Sequence, residues 1–309
     1  MSVKHNIVSV SGGKDSTALL LLAIERQAEN LQAVFADTGH EHQQTYEYVQ
    51  YLNDNVFPIR TIKADFSEQI ARKREYVKNK WFEKGVSQET IDRALQVLYP
   101  TGNPFLDLCI WKGRFPSTKA RFCSEELKRN PIIEQVQIPL LDQGDTIWSW
   151  QGVRADESAA RRNLPELEEV GGGLWNYRPI LQWTARQCFD MHKKHGIKHN
   201  QLYEQGMGRV GCMPCIHARK DELLEISKRF PDEIERVARW EKIVQQASKM
   251  GTATLLNAGI PGLSNEEAEK ASNIYQMVEW SKTSKGRSQY DFLRMQEGPS
   301  CSSIYGLCE

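Results

Sequence analysis

Short apolar runs alternate with amphipathic patterns over the first 65 residues of the chain. Residues 6–10, 31–36 and 57–62 are short runs rich in β-branched and apolar residues, and they predict three strands. Residues 17–27 and 42–53 repeat apolar positions at helical spacing and predict the helices between those strands. This alternation predicts a parallel sheet with helices on both faces, which binds ligands beyond the carboxyl ends of its strands.

The pattern is less regular in the rest of the chain. Residues 66–98 are charged and predict helices, whereas residues 146–153 predict a further strand. Residues 165–173 contain three consecutive glycines and predict a loop. Residues 184–195 and 231–250 predict two later helices, the second of which begins at a proline.

These elements predict a division of the chain into two domains. We expect an α/β nucleotide-binding domain over residues 1–230, interrupted by a basic helical insertion at about residues 66–120. A helical C-terminal region with a cysteine-containing tail is expected over residues 231–309.

Composition narrows the class of protein. With 40% hydrophobic and 26% charged residues, the chain has the composition of a globular protein, which excludes a mainly disordered one. The longest apolar run, residues 18–24, is far shorter than the roughly 20 residues of a membrane span, and the start lacks the pattern of a signal peptide. We therefore expect a cytoplasmic protein without a membrane partner, whose seven cysteines are thiols, metal ligands or redox groups. The sequence does not indicate an oligomeric state.

Charge is unevenly distributed, although the 40 basic and 40 acidic residues cancel. Residues 60–129 contain 15 Lys and Arg against nine Asp and Glu, a net charge of +6. Aromatic residues are interspersed there: Trp81, Phe82, Trp111 and Phe115. This segment is either a surface for DNA or RNA or a solvated helical insertion with ordinary core aromatics.

Six residues between the first predicted strand and the first predicted helix have the composition of a phosphate-binding loop: Ser11, Gly12, Gly13, Lys14, Asp15 and Ser16. Glycines let backbone N–H groups turn toward an anion, and the helix N-terminus adds the positive end of its dipole. Lys14 supplies a mobile charge, and Asp15 is suited to capping the helix or orienting a magnesium ion. The alternative is a glycine turn before a capped helix.

The string SGGKDS resembles the signature of the PP-loop ATP pyrophosphatases, which are adenine nucleotide α-hydrolases with a Rossmann-like sheet of the HUP type. This resemblance implies that the protein binds ATP and cleaves it between the α and β phosphates, and that the loop binds the pyrophosphate. Lys14 is then a catalytic residue as well as a binding residue.

Further segments resemble the phosphoadenosine-phosphosulfate (PAPS) reductase family. They are Asp37-Thr38-Gly39, residues 152–158 with Arg161, residues 178–189, and residues 203–215. Asp37 is expected to bind the nucleotide directly or through magnesium, or else to cap a loop. Arg154 and Arg161 are expected to bind phosphate or sulfonate, with Glu157 orienting one of them, or else to be surface charges. The resemblance makes Asp37 and Arg154 candidate catalytic residues as well.

The pair Cys212 and Cys215 has a spacing that lets both thiolates reach one metal centre. Spacing alone leaves zinc, an iron–sulfur cluster or a redox pair open. The family resemblance adds Cys123 and favours a 4Fe-4S iron–sulfur cluster over zinc, although one ligand of the family pattern is missing.

The fourth cluster ligand is left open among Cys301, Cys308, Cys109 and no protein ligand, with Cys301 as our choice. Cys188 falls in a predicted helix and is expected to be a buried apolar residue.

Two enzymatic interpretations follow, and we favour the first. It is an ATP pyrophosphatase that adenylates a nucleic acid for iron–sulfur-assisted sulfur transfer, resembling the ATP-pyrophosphatase component of DNA phosphorothioation systems. A cysteine-desulfurase-type sulfur donor and Cys308 as a mobile sulfur carrier belong to this interpretation. The second is a PAPS or adenylylsulfate reductase that releases sulfite. A non-catalytic nucleotide-binding regulatory module is a third interpretation.

Overall fold

A computed structural model of the chain describes residues 2–256, 267, 272–284 and 303–307. Its six strands are β1 (Lys4–Ser9), β2 (Leu31–Asp37), β3 (Ile59–Lys63), β4 (Thr146–Trp150), β5 (Leu167–Gly171) and β6 (Leu174–Tyr177). The α-helices are α1 (Lys14–Glu25), α2 (Gln43–Asn55), α3 (Ser67–Lys80), α4 (Gln88–Val97), α5 (Pro104–Lys112), α6 (Phe122–Ser124), α7 (Asn130–Ile132), α8 (Ile138–Leu141), α9 (Ala185–Lys194), α10 (Lys220–Arg229), α11 (Pro231–Ala247) and α12 (Ile274–Ser281). Helical turns of π type connect α6 to α7 and α7 to α8.

The strands form one sheet in the order β3-β2-β1-β4-β6-β5. Strand β1 pairs in parallel with both β2 and β4. Strands β2 and β3 therefore lie on one side of β1, and the later strands β4, β6 and β5 lie on the other. Such a reversal of strand order is the point where ligands bind in open α/β sheets. The predicted Rossmann-like sheet of the HUP type, with a helical insertion and a helical C-terminal region, is confirmed.

The apolar runs of the sequence form the core of this sheet. Residues 18–23 of α1 are buried and pack with the strand residues Val8 and Ala33 and with Val10, which follows β1. Helix α1 also packs along α9, where Cys188 is fully buried, as the sequence predicted. Neighbouring strand residues point to opposite faces of the sheet, and Ile7 and Val8 of β1 are buried in two separate apolar clusters, so both faces of this strand are covered.

The prediction of a loop over residues 165–173 is wrong. Residues 167–171 form the edge strand β5, which runs antiparallel to β6, and β6 itself was not predicted. Glu168 and Glu169 do not alternate with apolar residues, because an edge strand with mostly exposed side chains needs no buried face. The glycines turn the chain between the two strands.

The chain divides into two compact units. The first unit comprises Met1–Lys63, Lys128–Cys212 and Ser302–Glu309, and the second comprises Ala64–Leu127 and Met213–Cys301. This division differs from the predicted domain boundary at residue 230, which stays a prediction.

The first unit contains the sheet. In the second unit, α11 packs against α4 and α5, and the rings of Phe105 and Trp240 stack with centroids 5.6 Å apart. None of the helices in the described ranges combines the length and the hydropathy that a bilayer-spanning segment requires.

Candidate active site

The glycine loop lies at the carboxyl end of β1, and α1 begins at Lys14. Gly12 has φ +73°, a conformation that favours glycine, and a Cβ atom there would lie 3.0 Å from Cγ2 of Thr45. Gly13 is the N-cap of α1. The amides of the first helical turn have no acceptor within the helix, so they are available to an anion unless another group accepts from them.

Two serines close the loop on itself. The backbone N–H of Ser11 donates to Oγ of Ser16 at 3.1 Å, and this hydroxyl donates to the carbonyl of Gly13 at 3.0 Å. The two hydroxyl oxygens are 3.2 Å apart. The serines predicted to bind phosphate therefore also hold the loop in its shape.

Three side chains support the loop from the later part of the first unit. The phenol oxygen of Tyr203 accepts from the backbone N–H of Lys14 at 2.9 Å. Nε2 of His192 is 3.0 Å from the carbonyl of Lys14, and because a carbonyl only accepts, this nitrogen donates. Asn200 donates to the carbonyl of Gly12 at 3.4 Å. Burial lowers the pKa of His192, so the neutral ring is favoured, and its one N–H serves this hydrogen bond.

Two cations converge on the carboxylate of Asp15. Nζ of Lys14 lies 3.0 Å from Oδ2 of Asp15, and Nε of Arg154 lies 2.7 Å from its Oδ1. Arg154 is 4% exposed and also pairs with Asp156 at 2.7 Å. Gly152 brings this segment against the loop, since a Cβ atom there would lie 3.5 Å from the backbone of Asp15.

Glu157 and Arg161, four residues apart in the sequence, form an ion pair. Oε2 of Glu157 also accepts from the backbone N–H of Arg154 at 3.4 Å. Glu157 was predicted to orient one of the two arginines, and its side chain pairs with Arg161 and contacts the backbone N–H of Arg154.

Asp37 is buried at the carboxyl end of β2. Its Oδ1 accepts from the hydroxyl of Tyr46 at 2.7 Å and from the backbone N–H of Gly39 at 2.9 Å. Its Oδ2 lies 2.7 Å from Nζ of Lys63. Burial alone would raise the pKa of Asp37, but these three hydrogen bonds outweigh it and hold the pKa below its usual value.

A second buried carboxylate, Glu41, lies beside Asp37. Thr38 donates to its Oε2 through its backbone N–H at 3.1 Å and through its hydroxyl at 2.7 Å. The Tyr46 hydroxyl is 3.4 Å from the same oxygen and so bridges the two carboxylates. Sγ of Cys212 is 3.8 Å from Oε1 of Glu41, and residues 41 and 212 form an antiparallel bridge.

The predicted metal ligands fall in different parts of the chain. Cys212 belongs to the first unit, whereas Cys109, Cys123 and Cys215 belong to the second. Burial raises the pKa of Cys109, and the neighbouring Cys123 adds to this effect. Cys301 and Cys308 lie outside the described residues.

A metal site needs several ligating side chains at one place. Within the ranges that the structure describes, no three His, Cys, Asp or Glu side chains form a group that could hold a metal ion. The carboxylates of Asp15 and Asp37, proposed for magnesium, are both neutralised by basic side chains. The described residues therefore do not by themselves provide a site for a cluster or a magnesium ion, and both stay predictions.

Sequence reasoning missed the residues that support the site. Tyr203 belongs to a segment already recognised as family-like, but its hydrogen bond to the loop had no signal in the sequence. The same holds for His192 and Asn200. Lys63 was missed as well: it lies directly opposite Asp37 in the β2–β3 pair, and the hydrophobic pattern does not specify this register.

Comparisons with known proteins identify the family to which this chain is similar. The chain matches the family model of the phosphoadenosine phosphosulfate reductase domain over residues 5–218. It is 49% identical to an uncharacterized 37.8 kDa protein of Escherichia phage 186, over 98% of this chain and 96% of that protein. It is 26% identical to the phosphoadenosine 5'-phosphosulfate reductase of Erwinia tasmaniensis, over 69% of this chain and 72% of that protein. The chain spans only 42% and 44% of the length of two other relatives.

A solved phosphoadenylyl-sulfate reductase from Candida auris, in a phosphate complex, aligns with 67% of this chain and 81% of its own, at a TM-score of 0.39 and 18% identity. The family model, by contrast, covers well over half of this chain and includes the glycine loop, Asp37, Arg154 and Cys212. The chain therefore belongs to the phosphoadenosine phosphosulfate reductase domain family and has its PP-loop nucleotide-binding fold.

Proposed function

We propose that this protein is an ATP pyrophosphatase that transfers AMP from ATP to an oxygen atom of a nucleic acid and releases pyrophosphate. The observation that carries the proposal is the loop of residues 11–16, where Lys14 and Arg154 converge on Asp15 at the N-terminus of α1. A reductase acting on a sulfonucleotide needs no group that holds pyrophosphate.

The charges at this loop suit a pyrophosphate leaving group. Lys14 and Arg154 place two cations at the loop, where Asp15 and Asp156 balance them, and the N-terminus of α1 adds the positive end of its dipole. When the bond between the α and β phosphates breaks, negative charge grows on the β phosphate. Cations fixed beside that phosphate stabilise the transition state more than they stabilise bound ATP. Only such a difference in stabilisation accelerates the reaction.

The proposed transfer of AMP involves no change of oxidation state and therefore needs no oxidant or reductant. The substrate oxygen forms a bond to the α-phosphorus, and the bond from this phosphorus to the oxygen bridging to the β phosphate breaks. The electron pair of that bond leaves on pyrophosphate. A proton from an attacking hydroxyl passes to water, and the substrate keeps AMP on its oxygen.

The metal-dependent part of the proposal remains a prediction. Magnesium bound through Asp37, a cluster at Cys123, Cys212, Cys215 and Cys301, and a sulfur donor acting on the adenylated nucleic acid are not required by the step above. We therefore place no step of the reaction on them.

The test compares two activities on anaerobically purified protein. Pyrophosphate release from ATP is measured with single-stranded DNA and with RNA, and sulfite release from PAPS is measured with a thiol reductant. We expect pyrophosphate release that rises with nucleic acid and falls about 100-fold or more in Lys14→Met and Arg154→Ala, because each removes a charge beside the leaving group.

Lys194→Met is the matched control, since Lys194 is an exposed lysine of the same unit whose partner is Glu25. It should retain full activity. Sulfite release without cleavage of ATP would refute the proposal and favour the reductase.

A further inference from the structure

We propose that Tyr305, near the end of the chain, is a positioning residue for Lys14 and completes the phosphate-binding site. The inference deepens the proposed function, on which its catalytic consequence rests. It begins from the position of residues 303–307, which belong to the first unit together with the loop.

Two aromatic rings that contact each other lie close to the Lys14 ammonium. Its Nζ lies 5.0 Å from the ring centroid of Tyr305 and 5.5 Å from that of Tyr203. Both distances fall within the range of a cation–π interaction. With Asp15 at 3.0 Å from the same nitrogen, the ammonium has three partners, and Lys14 is only 5% exposed.

The Tyr305 ring is itself held in place. Its hydroxyl donates to the carbonyl of Gly208 at 2.8 Å. Its ring contacts Phe189, with centroids 5.4 Å apart, and Tyr203, with centroids 5.6 Å apart. Because Tyr203 also accepts from the backbone N–H of Lys14, one aromatic group links the loop to the Tyr305 ring.

The two rings and Asp15 restrict the positions that the Lys14 ammonium group can occupy. A free lysine side chain loses conformational entropy when it is fixed at one place. Two fixed rings restrict the ammonium before ATP binds, so less of this loss remains for the reaction. Without the Tyr305 ring, the ammonium keeps Asp15 and the more distant Tyr203 ring as its partners.

The first experiment measures Lys14 directly in the free protein. Lysines are acylated with acetic anhydride, and the rate at Lys14 is measured by mass spectrometry relative to exposed Lys194 in the same molecule. We expect Tyr305→Ala to increase the Lys14 rate about fivefold or more and Tyr305→Phe to leave it unchanged, because phenylalanine keeps the ring. An equal Lys14 rate in the wild type and in Tyr305→Ala would overturn the inference.

The second experiment measures pyrophosphate release from ATP. The expected result is a roughly tenfold lower kcat/KM in Tyr305→Ala with recovery in Tyr305→Phe, since a cation–π contact changes equilibria by about this factor. If Tyr305→Phe loses as much as Tyr305→Ala, the hydroxyl anchor and not the ring is what matters, and the inference fails.

Two shortened chains separate Tyr305 from Cys308. A chain ending at Leu307 should label like the wild type at Lys14, and a chain ending at Ser302 should label like Tyr305→Ala. Because acylation needs no ATP, a wild type that releases no pyrophosphate would refute the proposed function alone, while the labelling rates still decide the role of Tyr305.

Discussion

At the scale of single residues, the buried charges of the first unit are neutralised by partners that come from distant parts of the sequence. Asp37 could be singled out from the sequence because a polar residue follows an apolar strand run. Its partner Lys63 depends on the register of β2 against β3, which the hydrophobic pattern does not specify. Likewise, Lys14 and Asp15 were recognised from the loop motif, whereas the approach of Arg154 depends on the fold.

Glu241 is a buried residue whose carboxylate has no basic side chain among the hydrogen-bond partners described for it. It lies in the second unit and accepts from the backbone N–H groups of Leu255 and Ile274, at 3.0 and 2.9 Å. Burial raises the pKa of Glu241 to about 7, although these two hydrogen bonds act in the opposite direction. Its protonation is therefore coupled to folding.

We expect the contribution of Glu241 to stability to fall as pH rises from about 4.5 to about 7, because Glu241 ionises more readily in the unfolded chain than in the folded one. The folded pKa is the higher one, so the loss grows through this window and levels off above it. Glu241→Gln should remove about 1–3 kcal/mol of this pH dependence while lowering stability at pH 5, since an amide has only one acceptor oxygen.

Urea unfolding between pH 4.5 and 8 checks this prediction. Glu235→Gln is the control, because Glu235 lies on the same helix α11 but is exposed. A wild type and a Glu241→Gln variant whose stabilities vary with pH in parallel would contradict it.

At the scale of elements, the strand–loop–helix unit around β1 was predictable because its local signals agree: an apolar run, two glycines and a strong helix pattern. Strand β5 was not predictable, because its two glutamates and flanking glycines favour a loop, and only pairing with β6 makes it a strand. The residues that the loop needs from α9 and the segment after it come from packing that no local signal encodes.

Gly12→Ala should destabilise the protein by about 1–3 kcal/mol and abolish ATP binding, because the positive φ disfavours alanine and the added Cβ would contact Thr45. Gly196→Ala is the matched control. Gly196 has φ +65°, but a Cβ atom added there would meet no other atom within 4 Å. Thermal unfolding should therefore show a loss in both variants, with ATP binding by calorimetry lost only in Gly12→Ala. ATP binding retained in Gly12→Ala would argue against the loop as the phosphate site.

At the scale of the whole molecule, the predicted basic insertion, residues 66–120, makes up most of Ala64–Leu127, the first of the two segments that form the second unit. Its aromatics have different environments: Trp81 and Phe115 are core residues, whereas Phe82 is 68% exposed. Tyr99 is 53% exposed, and the guanidinium of Arg74 lies 4.1 Å from its ring centroid. The second unit thus presents exposed aromatic rings among cations, which suits the stacking of bases.

The double substitution Phe82→Ala and Tyr99→Ala should weaken binding of single-stranded DNA or RNA about tenfold or more, since base stacking contributes about 1–3 kcal/mol per base. Fluorescence anisotropy at fixed salt measures this affinity. Tyr275→Ala is the control, because Tyr275 is an exposed tyrosine of the same unit that bonds to Glu235 instead of a cation. Equal affinities for all three proteins would place any nucleic-acid contact elsewhere.

The division of the chain has a consequence for the order of events during synthesis. The polypeptide enters the first unit, leaves it after Lys63, returns at Lys128, leaves again after Cys212 and returns at Ser302. The strands of the sheet and the glycine loop are complete once Tyr177 has emerged from the ribosome, but Tyr305 follows 128 residues later. A nascent chain can therefore form its sheet early, whereas the aromatic surroundings of Lys14 are completed only after residue 305 has been translated.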